Sequence, residues 1–296
     1  MKYALMVFIG GAAYGAMLPI LRVAYNHGFN PVNSMVIQNL FAVIILAVLS
    51  ITLVRTKPKL SQIFGLLGAG VSAFVMSTAF FFTLRYASAT ITVILLFQYI
   101  WMGIAIQAIL ERRMPHPLTL LSGAIIIFGT VLTTGAFEKE VSLNVIGLVT
   151  GLLSALGYAV FLFLSGRVAT DIPTVNRTAF VAVARFVLAL ALIPLFPESL
   201  SLPSPPLVLG FGLLLAFGGI VFPLLLIQGG APHLPNSVTT IMSASELPSA
   251  VILAAILLGE VITPLAWLGI ALVLGGIVLS QAPELAALSK RLRGRV

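Results

Sequence analysis

The stretch SVTTIMSASELPSAVILAAILLGE, residues 237–260, decides the fold. From 237 to 258 it carries a single ionisable side chain, Glu246, among apolar and small residues, and it ends in Leu258-Gly259-Glu260. A helix needs about 20 mostly apolar residues to cross a hydrocarbon core of about 30 Å, so this run is long enough to span a bilayer. An acid in the middle of such a span costs about 3 kcal/mol on insertion scales and therefore faces a cavity or a partner. One segment thus predicts both a lipid-embedded helix and a polar site buried on it.

The rest of the chain reads the same way. Of its 296 residues, 60% are hydrophobic and 8% charged, against about 25% charged in an ordinary soluble domain. Punctuation by Pro, Gly and charge places spans at 3–22, 32–54, 62–84, 88–110 and 117–135, then at 143–165, 177–196, 206–227, 237–258 and 264–281. An unpaired backbone group in lipid costs several kcal/mol, and these runs are too uniformly apolar for barrel strands, so the spans are helical. The first run, Tyr3 to Leu21, could also imitate a cleaved signal peptide. Its length and its counterpart in the second half favour a span.

Orientation follows from the basic residues. With the N-terminus inside, twelve lie on the cytoplasmic side: Lys2; Arg55, Lys57 and Lys59; Arg112 and Arg113; Arg167 and Arg177; Lys290, Arg291, Arg293 and Arg295. Arg22, Arg85 and Lys139 lie opposite, and Arg185 falls inside a span. Twelve against three predicts a bacterial inner-membrane protein with both termini in the cytoplasm. A missed or invented span would flip every later loop and erase the asymmetry, so the same count supports ten spans.

Self-comparison shows a duplication. Arg22-Val23-Ala24 ends the first span and Arg167-Val168-Ala169 the sixth, with Tyr14-Gly15 and Gly157-Tyr158 before them. Leu110-Glu111 ends the fourth and Leu258-Gly259-Glu260 the ninth, while Gly123 and Gly129 correspond to Gly269 and Gly275. The repeats are expected at 1–140 and 141–296. Five spans is an odd number, so the second repeat enters the membrane from the opposite side. The expected fold is all-α integral membrane, ten transmembrane helices as two inverted five-helix repeats, with a cavity near the midplane.

These residues resemble the drug/metabolite transporter superfamily, in particular its EamA-like ten-helix bacterial exporters. The resemblance is carried by Leu258-Gly259-Glu260 with the Gly269 and Gly275 helix, the copy at Leu110-Glu111, the small-residue first helix of each half, and Ala184-Arg185-Phe186. Gln98-Tyr99-Ile100-Trp101 is similar to the Tyr-x-Trp stretch of aromatic amino-acid exporters, with Met102 where those carry Pro. The resemblance implies export of amino acids or related metabolites, secondary or facilitated, by alternating access.

Candidate cargo contacts follow from polar residues at depth. Arg185 and Glu246 are the two ionisable groups inside spans, and their opposite charges invite pairing; Glu246 is the candidate coupling group. Glu246 occupies the repeat position of Gln98. Ser243, Ser245 and Pro248 surround Glu246, and a Pro frees a backbone carbonyl one turn earlier, which gives either an ammonium acceptor or a packing kink. Tyr99 and Trp101, two apart, point to different sides of one helix, and Tyr99 is preferred. Gln38, Asn39 and Tyr158 complete the set. Gly11, Gly15, Gly147 and Gly151, spaced by four, are packing or gate positions. Glu111 and Glu260 at helix ends cap loops or neutralise nearby Arg.

Other functions lack their motifs. No His-Glu-x-x-His, Gly-x-Ser-x-Gly or phosphate-binding Gly-x-x-x-x-Gly-Lys-Ser/Thr pattern occurs, and one deep carboxylate is too few for paired acid–base work. Cysteine is absent, which excludes disulfides, thiolate metal sites and cysteine nucleophiles; no cofactor and no metal are expected. The net charge of +8 is spread between apolar runs rather than clustered as nucleic acid requires. The expected partners are the lipid bilayer and a small-molecule cargo. Multidrug export, lipid movement and a channel remain alternatives on the same fold.

Overall fold

The computed structural model describes residues 1–53, 58–112, 114–136, 144–196 and 202–281. The basic residues at 55, 57, 113, 139 and 290–295, and the expected repeat boundary at 140, lie outside them. The helices are α1 (Lys2–Asn26), α2 (Pro31–Leu53), α3 (Leu60–Tyr86), α4 (Ala89–Leu96), α5 (Tyr99–Glu111), α6 (Pro117–Thr133), α7 (Val145–Arg167), α8 (Thr174–Leu190), α9 (Pro205–Ala216), α10 (Phe222–Gly230), α11 (Asn236–Ser243), α12 (Glu246–Leu258) and α13 (Pro264–Ser280).

They form ten crossings. Eight helical segments are long and apolar enough to span, among them Ala89–Glu111 (α4 and α5), Pro205–His233 (α9 and α10) and Asn236–Leu258 (α11 and α12). The other two are α6 and α13, of 17 residues each, or about 26 Å at 1.5 Å per residue. Large apolar side chains face outward along single helix faces, as at Leu40, Ile44, Val48 and Ile51 of α2, spaced for a lipid-facing stripe.

The duplication is visible in the helix bounds. Ala89 and Asn236, Tyr99 and Glu246, and Pro117 and Pro264 begin equivalent helices and are each 147 residues apart. α5 and α12 are both 13 residues long and both end in a left-handed cap, Arg112 at φ 51 and Gly259 at φ 68. This register corrects the sequence alignment by one residue. Tyr99, not Gln98, is the repeat mate of Glu246, and Gly129 matches Gly276, not Gly275. Packing agrees: a β-carbon on Gly276 would press on Ile126 and the Ser122 carbonyl, whereas one on Gly275 would meet nothing within 4 Å.

The two halves interlock. α1 packs on α11, α12 and α10 of the second repeat, and α7 on α4, α5 and α3 of the first. α2 pairs with α8 and α6 with α13. Each first helix therefore sits between the third and fourth crossings of the other half. Five crossings per repeat make that arrangement an inverted one.

Arg177, expected at the cytoplasmic start of its span, is buried instead: α8 starts at Thr174, so Arg177 lies inside the helix and is 2% exposed. Its Nη1 donates to the Gln228 carbonyl at 2.8 Å and its Nη2 to the Ser165 carbonyl. Both carbonyls belong to the final turns of α10 and α7, where helix geometry leaves acceptors without partners.

Candidate functional site

Two crossings are broken at equivalent depth, and the chemistry of each break is local. In the ninth, Pro248 has no N–H to give the Ala244 carbonyl, which accepts from Leu247 N–H at 3.2 Å instead. In the fourth, which has no Pro, the Gln98 side-chain Nε2 donates to the Ile94 carbonyl at 3.0 Å while Gln98 N–H turns to Leu95. The breaks bring Tyr99 and Glu246, the first residues of α5 and α12, to the centre of the molecule.

α1 is bonded to the ninth crossing beside its break. Ser245 Oγ donates to the Phe8 carbonyl at 2.7 Å and Ser249 Oγ to the Ala12 carbonyl at 2.5 Å. The approach needs glycine: a β-carbon on Gly15 would fall on the Glu246 backbone, and one on Gly11 on Ser245 and Ser243. Gly151 admits Leu95 of α4 in the same way, and Gly147 admits the Tyr86 carbonyl.

A small cavity of about 10 Å³ lies between the repeats, lined by Tyr14, Met76, Tyr158, Phe161, Arg185 and Leu224 among others. A single water needs about that much space. Arg185 is 4% exposed; its Nε donates to Asn39 Oδ1 at 3.2 Å and its Nη2 to Ser77 Oγ at 3.4 Å. Asn39 is itself held by its Nδ2 donating to the Met35 carbonyl at 2.7 Å. The Tyr14 hydroxyl lies beside Ser77 and Arg185.

Glu246 stands one layer behind, screened from the cavity by Tyr158. It is 2% exposed, the Tyr158 hydroxyl lies against its carboxyl, and the Tyr99 hydroxyl has no hydrogen-bond partner. The rings form a continuous group, Tyr99 to Tyr158 at 4.5 Å, Tyr158 to Phe161 at 6.5 Å and Tyr14 to Tyr158 at 6.4 Å between centroids. The Tyr158 hydroxyl is turned to the Glu246 carboxyl and can donate to it, so the Tyr99 hydroxyl is the unpaired group there, and a buried polar atom left unpaired costs about 1–3 kcal/mol. Arg185 and Glu246 do not pair: the ion pairs within 4 Å among the described residues are Arg22–Glu260 and Arg167–Glu111.

Those ion pairs are equivalents at the two ends of the molecule. Each joins the end of a first helix, α1 or α7, to the end of the broken crossing packed against it, and each involves exposed side chains. Beside Arg167 and Glu111 opens a second cavity of about 200 Å³, bounded by Phe163, Pro232, Asn236 and Thr239 as well.

Of the sequence candidates, Tyr99, Tyr158, Asn39, Arg185 and Glu246 converge on the centre. Gln98 and Trp101 do not: Trp101 is 49% exposed and its Nε1 donates to Gln98 Oε1 at 2.9 Å. Ser243 spends its hydroxyl on the Thr239 carbonyl, Ser245 on Phe8, and Pro248 shapes the break. Gln38 lies toward the π-helical turn at Gly219. Sequence reasoning missed Tyr14, Met76, Ser77 and Phe161 as lining or bonding residues. Met76 and Ser77 share a face with Ala73 at helical spacing, the one signal that was available.

Ten crossings in two interlocked repeats, with a broken helix from each half meeting beside a buried arginine and glutamate, define a membrane transporter. The EamA-like transporter family matches residues 1–135 and again 145–281, and the chain belongs to that family. A curated relative, described as an uncharacterized transporter, YcbK, of Bacillus subtilis (strain 168), is 27% identical over 181 residues, covering 60% of this chain and 58% of the relative. A crystal structure of a protein at 15% identity superposes with a TM-score of 0.81 over 95% of this chain and 98% of its own; that likeness concerns the fold. The family is one of transporters.

Proposed function

We propose that the protein exports small zwitterionic metabolites, foremost amino acids, from the cytoplasm across the bacterial inner membrane by alternating access. The observation that carries this reading is one buried guanidinium and one buried carboxyl, unpaired with each other, on opposite sides of a tyrosine layer. A carboxylate on Arg185 and an ammonium on Glu246 would satisfy both once Tyr158 and Tyr14 withdraw, and the rings offer stacking surface to an aromatic side chain. A polyanion would find a single cation there. A lipid would need a wide apolar recess, and this cavity is about 10 Å³.

Both termini are then cytoplasmic, with Arg167–Glu111 at the inner mouth and Arg22–Glu260 at the outer. In alternating access the halves rock about the centre and the two mouths open in turn. The test is purified protein in liposomes given radiolabelled amino acids, sugar phosphates and cationic drugs, with and without a proton gradient. Saturable amino-acid movement is expected. Movement of the phosphates or drugs with no amino acid transported would overturn the reading.

A further inference from the structure

We infer that the 200 Å³ recess beside Arg167 and Glu111 is a second zwitterion-binding subsite, at which an amino acid is held by exchanging its own charges into that ion pair. The inference rests on the zwitterion reading for the class of cargo and on the recess for the place.

The central cavity is too small for cargo, about 10 Å³, whereas the recess holds about 200 Å³, about twenty times as much. Its charged lining is one carboxylate and one guanidinium already in contact. Their side chains are 34% and 46% exposed, open to an incoming solute. A zwitterion fits that pair without adding net charge. Its carboxylate takes a share of Arg167, its ammonium a share of Glu111, and the four charges alternate.

Two further features point to a ligand with donors. Asn236 and Thr239 bound the recess, and Asn236 Oδ1 and Thr239 Oγ1 are buried with no hydrogen-bond partner. Asn236 is fixed in orientation because its Nδ2 donates to the Gly103 carbonyl at 2.8 Å. Both orphaned atoms can accept a hydrogen bond. The opposite wall is apolar: Phe163, whose ring lies 4.6 Å from the Arg167 guanidinium carbon, with Pro232 and Leu234. Acceptors on one side, an ion pair at the rim and an apolar wall match the three parts of an amino acid.

The chain has no cysteine, so Leu234→Cys places a single thiol in the recess. In nanodiscs both faces are accessible, and maleimide labelling of that thiol is followed with phenylalanine, phenethylamine or 3-phenylpropionate present. The measurement uses a Glu246→Gln background, which disables the central site. Phenylalanine is expected to slow labelling several-fold, and the two analogues, each lacking one charge, to leave the rate unchanged. Glu111→Gln is expected to abolish protection and the swapped pair Glu111→Arg with Arg167→Glu to restore it, which separates loss of recognition from misfolding. Labelling indifferent to phenylalanine, while phenylalanine still binds saturably to protein with Glu246 intact, would overturn the recess and leave the central reading standing. Protection in the recess without binding that depends on Glu246 would do the reverse.

Discussion

Replacing Arg185 with Leu separates binding from stability. The substitution removes a guanidinium that is 4% exposed and has no acidic neighbour within 4 Å among the described residues. It also strands Asn39 Oδ1, which loses the donor at 3.2 Å. The stranded acceptor costs about 1–3 kcal/mol, but an uncompensated buried charge, whose own desolvation costs several kcal/mol, leaves with the arginine. The two terms oppose each other, so thermal stability in detergent is expected to hold or rise. Binding behaves differently. A charge-assisted hydrogen bond contributes about 1.5–3 kcal/mol, and each 1.4 kcal/mol is tenfold in affinity. Amino-acid affinity should therefore fall roughly ten- to 150-fold, while an amine lacking the carboxylate binds as before. The assay is equilibrium binding of phenylalanine and phenethylamine to purified variant and parent. An equal loss for both ligands, or a stability drop of several kcal/mol with no change in affinity, would refute the assignment of Arg185 to the cargo carboxylate.

Gly15→Ala should impair transport and lower the melting temperature, because the new β-carbon meets the Glu246 backbone and overpacking costs about 1–3 kcal/mol; a thermal-shift assay reads it, and an unchanged melting temperature would contradict the contact. Trp101→Phe should leave substrate selectivity unaltered in the liposome assay, since Trp101 is turned outward and bonded to Gln98. Arg22→Gln should change stability by no more than about 1 kcal/mol, the range for exposed ion pairs, yet speed maleimide labelling of a single cysteine introduced at the outer mouth; an unchanged rate would remove the pair as a latch. Glu246→Gln should abolish any dependence of transport on a proton gradient; a dependence that persists removes Glu246 as the coupling group.

The architecture was legible because lipid imposes a coarse rule: apolar runs of spanning length and the alternation of basic loops are both written in composition. The ion pairs were legible too, since Arg22 and Arg167, Glu111 and Glu260 recur at helix ends and carry opposite charge. Register was less so. Gly275 and Gly276 are adjacent, and only packing tells which meets the Ser122 carbonyl. The site was legible where it is charged, at Arg185 and Glu246, and obscure where it is lined by ordinary residues. Nothing in Met76 or Phe161 distinguishes a cavity wall from a helix interface. Gln98 misled for a physical reason: its amide is used up by the break it creates, taking the Ile94 carbonyl and the Trp101 indole.

The symmetric scaffold carries an asymmetric site. Val32-Asn33 near the start of α2 recurs as Val175-Asn176 in α8, an offset of 143 that sets Ala42 opposite Arg185. The offset of 147 in the broken crossings sets Tyr99 opposite Glu246. At both charged positions the other repeat therefore carries an uncharged residue. In the alternating access proposed above, interlocked, equivalent helices would give two related end states of similar packing. A centre that obeyed the same symmetry would offer a cargo two equivalent orientations. One cation from the seventh crossing and one acid from the ninth leave a single orientation for a dipolar cargo, with its carboxylate toward α8 and its ammonium toward α12.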